Sequence, residues 1–212
     1  LLSKQDQVLA DRIRFCIGLV CGHLKSSAFA EMLSWQCGVE PEKLFDIDFR
    51  YKIPNKNANQ YGIEVTGFDG AEFTTKHASV RTLYGTDWGL GFFKYKACDY
   101  CDDVVSETAD ISIGDAWLPN YVEDSLGTNV IVVRNGTLSH LIQQAKVSGE
   151  VHIENISADE VARSQSSGLR HRRAGLAYRL HIADKRGEWR PQKRVKAGAS
   201  HLTRAERKRF KI

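Results

Sequence analysis

Apolar and polar positions along this chain change period several times, and each change marks an element. Leu2 to Asp11 has a helical pattern and runs directly into an apolar stretch, Ile13-Arg14-Phe15-Cys16-Ile17-Gly18-Leu19-Val20, which reads as a strand. That strand ends in the loop Cys21-Gly22-His23-Leu24-Lys25. Ser26 or Ser27 then has the character of an N-cap for a helix reaching about Cys37, with Phe29 and Leu33 on one face and Gly38 as its stop. Leu44 to Arg50 alternates as a half-buried strand does. After a polar loop at 53–60, Tyr61 to Phe68 and Ala71 to Lys76 flank Asp69-Gly70, a strong hairpin signal. Ala109 to Asp115 and Asn129 to Arg134 are further strands, Leu138 to Val147 is a helix stopped by Gly149, and Val151 to Glu154 is a short strand. From Ser157 onward the pattern is helical and increasingly charged. The sum is an α/β fold, with α+β as its alternative: a mixed sheet, flanking helices and a basic C-terminal helical tail.

With 212 residues, 42% of them hydrophobic and only 4 prolines, the chain is long enough to bury a core. The expected division is one domain over residues 1–160 and a basic extension over 161–212. No apolar run reaches the roughly 18 residues of a membrane span, and the first residues lack the basic and apolar regions of a signal peptide. A cytoplasmic location is the expectation. The net charge of +4 conceals an asymmetry, because residues 185–212 carry 11 Lys/Arg against 2 Asp/Glu. Such a tail fits a solvated end or attachment to a polyanionic surface, and an acidic partner subunit is favoured over nucleic acid.

Five cysteines are an odd number for a disulfide framework, so metal binding, redox chemistry and plain packing come first. Cys98-x-x-Cys101 is the sharpest local feature, since two thiolates three positions apart in a turn can converge on one metal. A redox dithiol and two unrelated core cysteines are its alternatives. Cys21, ending a strand in a glycine-containing loop, is a third candidate ligand. Cys16, within an apolar strand, and Cys37, beside Gly38, are expected to be structural. Lys25 with Ser26 at a helix start has the makings of a phosphate cradle, or of an ordinary cap beside a solvated lysine. Asp115 ends a buried strand, where open sheets gather ligands, and Gly127-Thr128 offers backbone donors. The seven histidines are scattered. No GxSxG, P-loop or GxGxxG occurs, which removes the commonest hydrolase, NTPase and dinucleotide-binding readings.

Five blocks carry a family resemblance over roughly residues 10–150: Phe15 to His23, Asp48 to Lys52, Lys96 to Asp103, Ala109 to Trp117, and Gly127 to Arg134. In order and spacing they resemble the beta subunit family of coenzyme F-420 hydrogenase/dehydrogenase. The resemblance implies an oxidoreductase that carries FAD beside a 4Fe-4S cluster and exchanges hydride at the flavin with a deazaflavin or another organic substrate. It implies Cys21, Cys98 and Cys101 as cluster ligands, with the fourth in a Pro-Cys motif upstream of residue 1, so that this chain alone would hold an incomplete cluster and be inactive. Lys25, Ser26, Asp115, Gly127 and Thr128 are the candidate flavin contacts, and no catalytic residue is assigned. Expected partners are a redox protein or subunit and a small electron donor or acceptor, and a homo-oligomer is allowed. The contrasting reading is a non-catalytic module stabilised by zinc on the same three cysteines, binding nucleic acid or protein.

Overall fold

A computed structural model describes residues 5–199 and 202–210. Helix α1 (Gln7–Arg12) begins under an Asp6 cap whose carboxylate accepts from Leu9 N. The expectation that this helix starts at Leu2 falls partly outside the described residues. Strand β1 (Ile17–Leu19) is shorter than the apolar run around it. Its lower end is fixed instead by Cys16, whose amide donates to the Asp110 carboxylate at 2.8 Å and whose carbonyl accepts from Asp110 N.

Helix α2 (Ser27–Gln36) follows, and the chain then makes a meander of β2 (Leu44–Tyr51), β3 (Gly62–Phe68) and β4 (Phe73–Ser79). The meander is antiparallel, in the order β2-β3-β4, and the hairpin pairs Phe68 with Phe73. Gly70 makes this turn at φ +86°, a conformation that costs glycine little. Strands β5 (Ile111–Asp115) and β6 (Asn129–Val133) return to β1 and form a second sheet, β1-β5-β6, in which β1 and β5 are parallel and β5 and β6 antiparallel. The entire meander therefore lies inside the β1-to-β5 crossover.

Helix α3 (Gly136–Val147) is capped by Asn135, whose side chain accepts from Thr137 N and Leu138 N. The expected strand over 151–154 does not form. Val151 N returns to Ala145 O within the helix stop, and Val151 stays exposed, so its amide is spent before a ladder can use it. Helix α4 (Ala158–Ser164) opens with a Ser157/Glu160 capping box. It leads through α5 (Ser166–Arg170) and a π-helical turn (His171–Gly175) into α6 (Leu176–Arg186). The tail is helical again only at α7 (Arg204–Phe210), after an irregular stretch. The fold is α/β with flanking helices, as the periodicity indicates.

One core joins Phe29 and Leu33 of α2 and Val39 of the following turn to Ile63 and Val65 of β3. The same two α2 residues form the apolar face visible in the sequence. Leu33 is 1% exposed, so Leu33→Ala is expected to destabilise the protein by about 2–5 kcal/mol, through lost transfer energy and a residual cavity. Urea unfolding with a native-like slope would check it, and a loss under about 1 kcal/mol would mean that this core is not limiting.

Candidate functional site

Two glycines set the position of the site. A Cβ on Gly18 would lie 2.3 Å from Ser106 Cβ, and one on Gly114 would lie 2.3 Å from Val20 Cβ. The side chains of Ser106 and Val20 therefore pack directly against the strand backbone at these two points. Val20 N donates to Ile113 O at 2.8 Å, and Cys21 N donates to Val104 O at 3.0 Å. Ser106, at φ +51°, holds Leu19 O with its hydroxyl. These bonds bring Cys21 and Asp115 side by side at the carboxyl ends of β1 and β5, the edge where open α/β sheets bind ligands.

The Cys98–Cys101 turn lies in a short 3-10 segment (Lys96–Tyr100). Leu24 N donates to Cys98 Sγ at 3.4 Å, which ties that turn to the loop following β1. The Cys98 and Cys101 thiols lie near enough to Cys21 for their negative charge to oppose its ionisation. Burial raises the Cys21 thiol above its ordinary range, and the Arg172 guanidinium partly offsets that rise. The structure thus gathers the three predicted cysteines in one neighbourhood. Among the described residues, no three His, Cys, Asp or Glu side chains close around a single point. A lone ion needs donors within about 2.0–2.3 Å of itself, whereas a cluster takes its thiolates at separate iron corners. Cys16 is held at the far end of β1, and Cys37 closes α2.

The electrostatics around these thiols are one-sided. Asp99, between the two turn cysteines, is buried in an ion pair with Lys94 and lies 4.0 Å from Arg179 Nε. Burial pushes Arg179 down to about 10 despite the Asp99 carboxylate. Arg172 is 2% exposed, donates to Gly22 O and leaves its Nε without a partner. His23 is lowered to about 4 and His171 to about 3, in both cases first by burial and then by surrounding cations. Buried positive charge therefore exceeds buried negative charge here. Three thiolates, or an anionic cluster on them, have the sign that this environment favours. The residues fit an iron-sulfur group in donor type, in charge and in the N–H···S bond to Cys98.

A cleft of about 650 Å³ opens beside Cys21, with Asp115, Arg50, Trp88 and Trp117 among its walls. Of the five residues expected around a flavin, only Asp115 lines it. Lys25 instead donates to Phe92 O at 2.6 Å and stands over the Phe29 and Trp88 rings, where burial lowers it to about 8. Ser26 sits at the α2 N-cap without a side-chain capping bond. Gly127, at φ +82°, and Thr128, whose carbonyl accepts from Ala116 N, shape the turn before β6. The sequence did not point to Arg50, Arg172 or the 164–168 segment. Arg50 lies within the Asp48–Lys52 block but shows no role there, and a lone arginine and a serine-rich stretch carry no motif, although the helical charge pattern after Ser157 locates the element that bears Arg172 and residues 164–168.

Strand-end thiols, a cationic surround and an adjoining cleft meet at one edge of the sheet of this α/β protein. The chain belongs to the coenzyme F-420 hydrogenase/dehydrogenase beta-subunit family: the family profile for the carboxyl-terminal part of that subunit matches residues 1–159. A similar solved chain comes from the xenon-derivatised F-420-reducing nickel-iron hydrogenase complex of Methanosarcina barkeri. It is 14% identical at a TM-score of 0.46, and the match covers 81% of this chain and 55% of that one. This chain thus spans about half the length of that relative. A search of curated proteins finds no match. Among the described residues, no helix is long and apolar enough to cross a membrane.

The His171 environment carries a pH dependence. Its imidazole faces Arg179, Lys94, Arg172 and His23, and its folded pKa of about 3 lies below the ordinary 6.5. Unfolding takes up a proton at any pH between those values. Its stabilising contribution is therefore complete above about pH 6.5 and is lost as the pH falls toward 3. Urea midpoints measured from pH 7.5 down to 4.5 should decline, and His171→Gln should flatten that decline. An unchanged slope in the variant would place the titration elsewhere.

Proposed function

We propose that this protein is the C-terminal part of an oxidoreductase subunit in which Cys21, Cys98 and Cys101 hold an iron-sulfur cluster of the 4Fe-4S type beside FAD. The observation that carries this reading is the convergence of three thiols under an excess of buried cations, Arg172 foremost. Membership of a family named for hydrogenase and dehydrogenase subunits supports it. When bound, the cofactors would supply hydride exchange at the flavin with a deazaflavin-like or other organic substrate, and single-electron transfer at the cluster.

The protein's own contribution is orientation and field. Leu24 N donates to the Cys98 sulfur, which fixes that thiol against the loop after β1. Arg172 favours the ionised form of Cys21. Asp99, fixed by Lys94 and Arg179, anchors the turn that presents both other cysteines. Asp115, paired with Arg50 at 3.4 Å, borders the cleft where a flavin or substrate would approach the thiols. A redox partner subunit would complete the electron path.

Anaerobic purification and iron-sulfide reconstitution provide the test. With the fourth, upstream ligand that the resemblance implies included, the protein should turn brown with a broad visible absorbance, and Cys21→Ser, Cys98→Ser and Cys101→Ser should each lose most of the iron. Cys37→Ser should retain it. A colourless protein that takes up zinc on the same residues, or equal iron loss from all four variants, would defeat the assignment.

A further inference from the structure

The candidate thiols border two separate openings. Cys21 lines the cleft at the strand ends, whereas Cys101 lines a groove of about 770 Å³ that shares no residue with that cleft. The CxxC turn contributes Lys96, Ala97 and Tyr100 to the groove, and the stretch after α6 contributes Trp189 and Pro191. That stretch lies beyond the family-matched residues, which end at 159.

Trp189 is held out into solvent by the bonds on either side of it. Helix α6 stops at Gly187, whose φ of +64° turns the chain, and Glu188 N returns to Ala183 O at 2.9 Å. Arg190 then clamps Asp184 through two nitrogens, at 2.6 and 2.9 Å. With both neighbours tied back to α6, Trp189 is 83% exposed, more than any other Phe, Tyr or Trp among the described residues. Tryptophan is among the residues that most often anchor protein interfaces, and a backbone fixed in advance loses little freedom on binding.

The groove continues into a smaller cavity of about 290 Å³, with which it shares Lys96, Tyr100 and Glu188. Lys94, Lys96, Arg179 and Arg186 line that cavity against two carboxylates, Asp99 and Glu188. Lys94 and Arg179 pair with Asp99, and Arg186 pairs with Glu188. Lys96 is exposed and has no ion pair among the described residues. Positive charge also dominates the stretch that bears Trp189, since residues 185–196 hold six Lys/Arg against one Glu. A small-molecule site ordinarily buries at least roughly 70% of its ligand, and a groove walled by so exposed an indole encloses too little for that. An apolar anchor beside unpaired positive charge is complementary to a protein surface that presents an apolar side chain among carboxylates.

We infer that this groove docks an acidic electron-transfer protein, with Trp189 as the apolar anchor and Lys96 as the charged contact, and that docking sets the partner's surface beside Cys101. Recognition of the partner is thereby assigned to a segment outside the family-matched residues. The inference rests on the redox reading for the class of partner, whereas the contact itself needs no iron in this chain. Electron-transfer encounters bury little surface, under about 1,200 Å², so one groove with one anchor is enough.

Titration calorimetry on the purified full chain tests this, with an acidic two-iron ferredoxin as the probe and a basic cytochrome c as the control. The ferredoxin should bind with a Kd on the order of 100 μM or tighter, and raising the salt from about 0.05 to 0.2 M should weaken it several-fold. Trp189→Ala and Lys96→Glu should each weaken it by about tenfold or more. Both side chains are exposed, so both variants should melt like the parent; should one unfold, the other carries the test. No ferredoxin binding, equal binding of cytochrome c, or full ferredoxin binding by a folded Trp189→Ala would overturn the inference. So would self-association of the parent that Trp189→Ala abolishes, which would give the groove to a second copy of the chain. Cys21→Ser, outside the groove, separates the two readings: it should lose iron yet keep ferredoxin binding. Ferredoxin binding by a protein that never takes up iron leaves the docking face standing and removes the cluster, and iron uptake without ferredoxin binding does the reverse.

Discussion

One buried carboxylate organises this molecule. Asp99 lies between the two cysteines of the turn, and its charge is tolerable inside the protein only because Lys94 and Arg179 reach it from two other segments. Arg179 also donates to the Asp99 backbone carbonyl at 2.8 Å, so the same side chain fixes both charge and chain path. Removing one partner of such a set leaves an uncompensated buried charge, at a cost of about 3–5 kcal/mol. The CxxC turn is therefore a rigid shelf that exists only where α6 is docked. Beyond that local pairing the surround remains cationic, which the depressed histidines His23 and His171 both register.

Three polar side chains from the C-terminal helical segment repeat one device. Gln165 caps the carbonyl of Asp115, Arg172 that of Gly22 and Arg179 that of Asp99. Each carbonyl belongs to a different segment around the site, and that of buried Asp99 would be an unsatisfied acceptor without its donor. The segment thus substitutes for a ladder that irregular loops cannot provide. The glycines act from the other side: Gly18 and Gly114 leave room for the side chains of Ser106 and Val20, which any added side chain would displace. Loop geometry of this kind depends on close approach from below and hydrogen-bond capping from above.

Much of the fold was legible because its cause is local. Alternation placed β2 and β3, short apolar stretches placed β5 and β6, the Asp69-Gly70 turn placed the hairpin, and the Phe29/Leu33 face placed α2 on its sheet. What was not legible depends on partners distant in sequence. The apolar run before β1 is more strand-like than the strand it yields, because only three of its residues find a neighbour in β5. Val151 to Glu154 has strand-like residues but no ladder to join. The candidate site divides in the same way. The cysteines stood out because thiols in a turn are chemically unusual, whereas Arg50 and Arg172 became conspicuous only once their burial and unpaired nitrogens were visible. Lys25 illustrates the converse, since its place at a helix start suggested a phosphate while the aromatic rings and Phe92 carbonyl around it claim its ammonium.

The charge asymmetry of the chain takes on a structural meaning in this light. Acidic residues crowd the CxxC turn and its exit: Asp99, Asp102, Asp103 and Glu107. Basic residues of the tail come back to meet them. Lys193 and Arg194 both reach Asp102, and Arg194 forms a two-nitrogen pair with Glu107, which Arg173 also approaches at 3.6 Å. Glu107 is held below its ordinary range chiefly by that Arg194 bond; Asp102 is lowered too, because Lys193 and Arg194 outweigh the opposing effect of its burial. Single exposed pairs contribute little, yet a network on one turn acts as a clasp. Part of the basic excess is therefore consumed in holding the tail against the turn that carries two of the candidate ligands. The charges left facing outward are concentrated on α7, at Arg204, Arg207, Lys208 and Arg209.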